Sequence, residues 1–208
     1  YPSDFPYGIL PVMARRKEVC KYLDIALQHI DDTVLDNMRR HITAEETRRL
    51  LERIRREMPG IHIRTTMMVG FPGEDDAAFE RLVDFVKEQR FERLGAFAYC
   101  EEDDTYAARN YDDSIPDEVK QARLERLMSV QEEIATEVAA SEVGKTLRVI
   151  IDEYDDNMGR WIGRTEFDSP EVDCNVFVES DRELAPGDIR NVTITDSEGF
   201  DLYGTVRL

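Results

Sequence analysis

From Arg64 to Glu74 the chain reads Arg-Thr-Thr-Met-Met-Val-Gly-Phe-Pro-Gly-Glu: a strand with an arginine among its alternate residues, then a glycine turn that carries a carboxylate. Glycines at Gly70 and Gly73 let the backbone approach a ligand, and Glu74 can accept hydrogen bonds from an amine or a sugar hydroxyl. Two further segments bear groups of the same kind, Asp24-Ile-Ala-Leu-Gln28-His29-Ile30 and Phe97-Ala-Tyr99-Cys100. A glycine-proline turn marks many loops and says little alone. With Leu27-Gln28-His29 and Phe97-Ala98-Tyr99 at the ends of flanking strands, it points to a binding surface.

Strand periodicity says which way these groups face. In the stretch 61–70, Ile61, Ile63, Thr65, Met67 and Val69 share one face, and His62, Arg64, Thr66, Met68 and Gly70 share the other. In 22–28, Leu23, Ile25 and Leu27 oppose Asp24, Ala26 and Gln28. If the apolar rows meet helices, the polar rows face a lumen, and the glycine turn lies at the strand end that forms the reactive face of a (β/α) barrel. A barrel interior is ordinarily filled with branched apolar side chains. Asp24, Gln28 and Arg64 inside it are costly unless paired or solvated, which leaves a polar, ligand-holding cavity or a plain Asp24–Arg64 ion pair.

The intervening helices are predicted from their own signals. Thr43-Ala-Glu-Glu46 is a capping box, followed by Leu50, Leu51, Ile54 and Met58 on one face and stopped by Pro59-Gly60. Phe79, Leu82, Val83 and Val86 form a second stripe after the acids 74–76, suited to a helix N-terminus. A shorter helix is expected between Asp31 and Arg40, and the longest from Pro116 to about Ser141. Strands alternating with helices specify an α/β unit with parallel strands. Beyond Gly144 the helical period stops. Five short strands follow, at 146–153, 159–165, 175–178, 189–195 and 201–206, separated by turn signals, which predicts a small antiparallel β-barrel. The expected division is 1–143, with the long linking helix, and 144–208.

Composition narrows the function. The 208 residues are 41% hydrophobic and 35% charged, and no stretch approaches the ~20 apolar residues of a membrane span. There is no membrane or secretory signal, so a cytoplasmic protein is expected. Net charge is -18, from 27 basic and 45 acidic residues, which disfavours direct RNA binding and favours a basic partner. Cys20, Cys100 and Cys174 are scattered, without metal-ligand spacing, and are expected to be free, buried or half-buried structural thiols. No metal site is read from the chain. It opens without methionine and in mid-motif, and is expected to be part of something longer.

These segments, with Tyr1-Pro-Ser-Asp-Phe-Pro6, Met38-Arg-Arg40 and Gln121-Ala-Arg-Leu-Glu-Arg-Leu-Met128, resemble the C-terminal portion of the radical S-adenosylmethionine (SAM) methylthiotransferases. The likeness implies a partial (β/α) radical SAM barrel that begins after its third strand, followed by a TRAM-like β-barrel that holds the substrate. It implies a SAM-bound iron-sulfur cluster whose electron cleaves the sulfonium to give a hydrogen-abstracting deoxyadenosyl radical, and a second cluster that supplies sulfur. It also implies that Gln28, Arg64 and the turn Gly70, Phe71, Gly73, Glu74 line the SAM side of the lumen. Arg64 would meet the SAM carboxylate and Tyr99 would pack near the adenine. His29 admits either a structural hydrogen bond or ligand contact, and no catalytic residue is assigned.

Such enzymes need three cysteines spaced Cys-x-x-x-Cys-x-x-Cys, and this chain has no such triplet, so it is expected to bind neither cluster and to be inactive alone. For the substrate, the loop after Tyr99 reads Cys100-Glu101-Glu102-Asp103-Asp104-Thr105. Four carboxylates at the barrel mouth repel phosphate and attract a basic protein. The tail agrees, with 15 acidic against 7 basic residues and hence -8. Trp161 is a candidate substrate contact, although a small barrel also needs such rings inside. The family branch that modifies an aspartate of a basic small-subunit ribosomal protein is therefore favoured. A tRNA adenosine methylthiotransferase and a non-catalytic acidic adaptor for basic proteins are the alternatives.

Overall fold

The computed structural model describes residues 1–206 and divides the chain into two compact units. One comprises Tyr1–Lys17 with Leu23–Gln131, the other Glu18–Tyr22 with Glu132–Leu208. Two short 3-10 turns (Pro2–Asp4 and Tyr7–Ile9) lead into α1 (Leu10–Arg15), β1 (Tyr22–Asp24), α2 (Asp32–Asn37), α3 (Ala44–Glu57), β2 (His62–Val69), α4 (Asp76–Gln89), β3 (Arg93–Ala98), α5 (Tyr106–Asn110) and α6 (Asp117–Glu142), all in the first unit except Tyr22 and the part of α6 from Glu132 onward. The sheet order is β1-β2-β3, with β2 and β3 parallel.

β2 shows why this sheet has a covered and an open face. Ile63, Thr65, Met67 and Val69 are wholly buried, whereas His62, Arg64, Thr66 and Met68 between them are half-buried. The helices bury matching stripes: Leu50, Leu51 and Ile54 on α3, and Leu82, Val83 and Val86 on α4. The capping box forms as predicted, Thr43 accepting from the Glu46 amide while Glu46 accepts from Thr43. α4 starts on the Asp75 N-cap and ends at Arg90, whose left-handed φ of 48° stops it. The three strands form an open sheet, so the polar row that a complete barrel would enclose remains accessible.

β1 is shorter than the expected 22–28. Its regular part ends at Asp24, beyond which the Thr65 hydroxyl donates to the Ile25 carbonyl and accepts from the Leu27 amide, and pairing resumes as a parallel bridge between Gln28 and Met67. The alternation nevertheless survives, with Ile25 and Leu27 buried and Ala26 and Gln28 half-buried.

The second unit contains β4 (Thr146–Asp155), β5 (Arg160–Thr165), β6 (Val176–Ser180), β7 (Ile189–Glu198) and β8 (Asp201–Val206), closed in the order β4-β5-β6-β8-β7. One expectation is corrected: the barrel is not wholly antiparallel, because β6 and β8 pair in parallel. Closing five strands leaves these two as neighbours running the same way. Val149, Ile151, Val178, Val192 and Ile194 fill the interior. Bulges between Ile151 and Glu153 and between Ile194 and Asp196 bend the long strands into the closed curve.

The thiols depart from expectation as well. Cys174 is buried, but Cys20 and Cys100 are exposed. Among the described residues no helix is long and apolar enough to cross a membrane.

Candidate functional site

At the C-terminal ends of β1 and β2 lies a cleft of about 350 Å³, lined by Gln28, Met38, Arg39, Met68, Phe71 and Tyr106, among others. Three segments build it: the end of β1, the turn after β2, and the chain leaving α2. α5 adds the Tyr106 wall, its first turn capped by Thr105, which accepts from the Ala108 amide. Two lining residues, Gln28 and Arg39, hold left-handed φ values of 73° and 56°. Such conformations cost non-glycine residues roughly 1–3 kcal/mol and collect where geometry is imposed by function. Arg39 lies over the Tyr106 ring at 4.6 Å. The neighbouring Arg40 donates to the Ala26 carbonyl, while its buried Nε has no hydrogen-bond partner among the described residues.

The turn is locked from behind. Glu74 is wholly buried and both its oxygens are employed: Oε1 accepts from the Gly70 amide at 2.9 Å and from Arg123 of α6 at 2.7 Å, and Oε2 faces His29 Nε2 at 2.9 Å. His29 Nδ1 accepts from the Asp31 amide at 3.0 Å, which leaves Nε2 as the donor to Glu74. Arg123 also reaches the Glu74 carbonyl at 3.0 Å and Asp76 at 2.7 Å. Asp31 caps α2 and takes Arg81 at 2.7 Å. Although partial burial opposes its ionisation, the Arg81 and Val34 hydrogen bonds hold the Asp31 carboxyl below the usual range. On the other side, Asn37 donates to the Pro72 carbonyl at 3.1 Å.

Two of the residues singled out in the sequence lie in this buried cluster and not along the cleft. Both oxygens of Glu74 have partners, and His29 is wholly buried with a hydrogen bond at each ring nitrogen. Arg123 arrives from a helix far along the chain and brings the compensating charge that a buried carboxylate requires. Gly70 and Gly73 have φ of 74° and 96°, and a Cβ on either would meet Lys120 or Asn37 rather than open space. Phe71 and Gln28 do line the cleft. Tyr99 does not: it sits behind Phe71, ring centroids 4.8 Å apart, and is 8% exposed. Burial, reinforced by the Glu101 and Asp113 carboxylates, pushes its phenol above the ordinary value, and its hydroxyl has no hydrogen-bond partner among the described residues.

Arg64 lies on the same face of β2 as Met68 but four residues earlier, on the order of 13 Å along the strand. It pairs with Asp24 at 2.6 Å, the ion pair that the sequence left open. Glu101, Glu102, Asp103 and Asp104 are all exposed in the loop between β3 and α5. In the other unit Trp161 is half-buried against the barrel core, edge-on to Tyr154 at 5.0 Å.

The residues suit a nucleoside-type ligand with a thioether or sulfonium chain. The cleft has an apolar floor of Met38, Met68 and Phe71, with the polar Gln28 and the cationic Arg39 and Arg40 around it. Cys20, Cys100 and Cys174 are far apart in sequence, and among the described residues no group of three His, Cys, Asp or Glu side chains that could hold a metal ion occurs.

Comparison with known proteins follows the two-unit division. Residues 6–86 match the model of the radical SAM superfamily, and residues 143–206 match that of the TRAM domain. The chain is 57% identical over 206 residues to a protein of Parabacteroides distasonis named ribosomal protein uS12 methylthiotransferase RimO, covering 99% of this chain and 47% of that one. Proteins of the same name from Bacteroides fragilis and Chloroherpeton thalassium are 54% and 45% identical, over 99% and 100% of this chain and 48% of each relative. The chain thus spans about half the length of the curated relatives it matches. Among solved structures, coproporphyrinogen III oxidase (HemN) of Escherichia coli, described as a radical SAM enzyme, superimposes with a TM-score of 0.53 at 16% identity. That match covers 79% of this chain and 43% of HemN, and concerns the fold alone.

Proposed function

We propose that this chain, which corresponds over 99% of its length to the C-terminal half of RimO-type ribosomal protein uS12 methylthiotransferases, forms the later radical SAM strands and the TRAM domain of such an enzyme. The likeness along the whole of this chain, about half the length of those relatives, carries the proposal. The enzyme would add a methylthio group to the β-carbon of an aspartate in the ribosomal protein. The relatives bear the ribosomal-protein name, which favours this branch over a tRNA adenosine methylthiotransferase or an acidic adaptor.

Within this reading SAM lies on the open face of the sheet. Gln28, Met68 and Phe71 would hold the nucleoside side, the backbone of the turn from Gly70 to Gly73 would border it, and Arg64 would pair with the carboxylate end. Bound SAM and the two clusters supply the radical and sulfur chemistry. The cluster ligands would come from other parts of the enzyme, and this chain alone would be inactive. The test is to reconstitute the full-length protein with iron and sulfide and to offer it SAM, a one-electron reductant such as dithionite, and the ribosomal protein. Mass spectrometry should show a methylthio gain on one aspartate; gain only on tRNA, or on neither, would overturn the assignment.

Two variants examine the parts. Arg64→Ala is expected to weaken SAM binding by about tenfold or more, as loss of a charge-assisted hydrogen bond does. An unchanged dissociation constant would leave Arg64 as the partner of Asp24 only. The exposed loop 101–104 would receive the basic substrate protein. Converting Glu101, Glu102, Asp103 and Asp104 to their amides should weaken that association on the order of tenfold at low salt. Equal calorimetric affinity for the variant and the parent would remove the loop from substrate recognition.

A further inference from the structure

We propose that Arg123 and His29, acting through Glu74, are positioning residues that hold the three walls of the cleft in register. This rests on the reading that the cleft takes SAM. Each wall has one covalent neighbour in the buried cluster. Gln28, in the β1 wall, immediately precedes His29. Phe71, in the turn wall, immediately follows Gly70, whose amide donates to Glu74 at 2.9 Å. The α2 wall, which delivers Met38 and Arg39, starts from Asp31, whose amide donates to His29 at 3.0 Å.

One buried carboxylate therefore ties the end of β1 to the turn, and the imidazole it holds carries the tie on to the start of α2. Its own position is set by the Arg123 guanidinium at 2.7 Å and the imidazole at 2.9 Å, with side-chain exposures of 9% for Arg123 and 0% for His29 and Glu74. A second, outer tie repeats the pattern, since Asn37 at the end of α2 donates to the Pro72 carbonyl. None of Arg123, His29 or Glu74 lines the cleft. What they hold is the left-handed backbone of the walls: Gly70 at φ 74°, where glycine is at ease, and Gln28 at φ 73°, where a side chain is not. Ligand groups held to within a fraction of an ångström lose affinity steeply when the frame loosens.

The experiment uses the full-length enzyme and calorimetric titration with SAM, at a temperature well below unfolding of every variant. Arg123→Met is expected to raise the dissociation constant by about tenfold or more, and Arg123→Lys, which restores a donor to Glu74, to recover most of the loss. Arg126→Met, on the same helix, removes the half-exposed pair to Glu80 and the contact over the Phe79 ring, touches none of the buried cluster, and should leave binding unchanged. Hydrogen exchange at the Gly70 amide should quicken in Arg123→Met and return in Arg123→Lys. If Arg123→Met does not fold, His29→Gln carries the same measurement, with weakened SAM binding expected. A lowered unfolding temperature with an unaltered dissociation constant would overturn the proposal and make the cluster a stability element only. Failure of the parent enzyme to bind SAM would overturn the reading beneath it.

Discussion

Replacing Gly70 by alanine should lower the stability of the strand-and-helix unit by about 2–5 kcal/mol, read as a shift in denaturant midpoint at constant slope. Two costs add. The residue holds φ at 74°, a left-handed conformation that a Cβ disfavours by roughly 1–2 kcal/mol. The new methyl would also stand 2.3 Å from Lys120 Cγ. Lys120 has little room to yield: its side chain is 3% exposed and its ammonium is held by Asp113 at 2.6 Å. Overpacking of this kind costs about 1–3 kcal/mol. Gly60→Ala separates the two, for its φ is 78° but nothing lies within 4 Å of the added Cβ, so only the backbone cost applies. Equal effects at the two positions would show that Lys120 moves freely and that the turn is less tightly held than the distances imply.

Removing the carboxylate at Glu74 is the second large loss. Glu74→Ala leaves the Gly70 amide without its acceptor, His29 Nε2 without its partner, and a nearly buried Arg123 beside a void, with the exposed Asp76 as its remaining carboxylate and the residue-74 carbonyl as its remaining buried acceptor. Breaking one side of a buried pair costs about 3–5 kcal/mol, because the remaining charge keeps its desolvation without its attraction. Glu80→Ala is the matched comparison, since its pair with Arg126 lies half in solvent and its loss should barely move the midpoint. Equilibrium unfolding of both variants followed by a probe in the first unit decides the matter. A Glu74→Ala midpoint as close to the parent as that of Glu80→Ala would mean that water reaches the cluster and relieves it.

Several elements were legible because their signals are local. The helix at 44–57 announces itself through Thr43 and Glu46, three residues apart, and both hydrogen bonds form. β2 is legible through alternation alone, and its buried and half-buried rows fall where period two puts them. The glycine turn and the acidic loop could be placed at strand ends by the same means. Arg123 could not: it lies 49 residues from Glu74, in a helix whose arginines all read as surface charges, and only the path of α6 selects one of them for burial. Nor could Arg39 and Tyr106 be brought together, since α5 is short and its connecting loop gives no hint of direction.

By itself the sequence determined the alternation of strands and helices, the change to a barrel of short strands, and the excess of negative charge, because each depends on residues a few positions apart or on simple composition. Tertiary structure alone decided which carboxylate is spent inside the protein and which remain in solvent. It decided that the glycines make room for Lys120 and Asn37, and that β6 and β8 lie parallel. Those outcomes follow from how distant segments meet, where burial turns an ordinary ionisable side chain into one that must find its counter-charge. Glu74 finds Arg123, whereas Glu101 to Asp104 stay in water, where no such counter-charge is required.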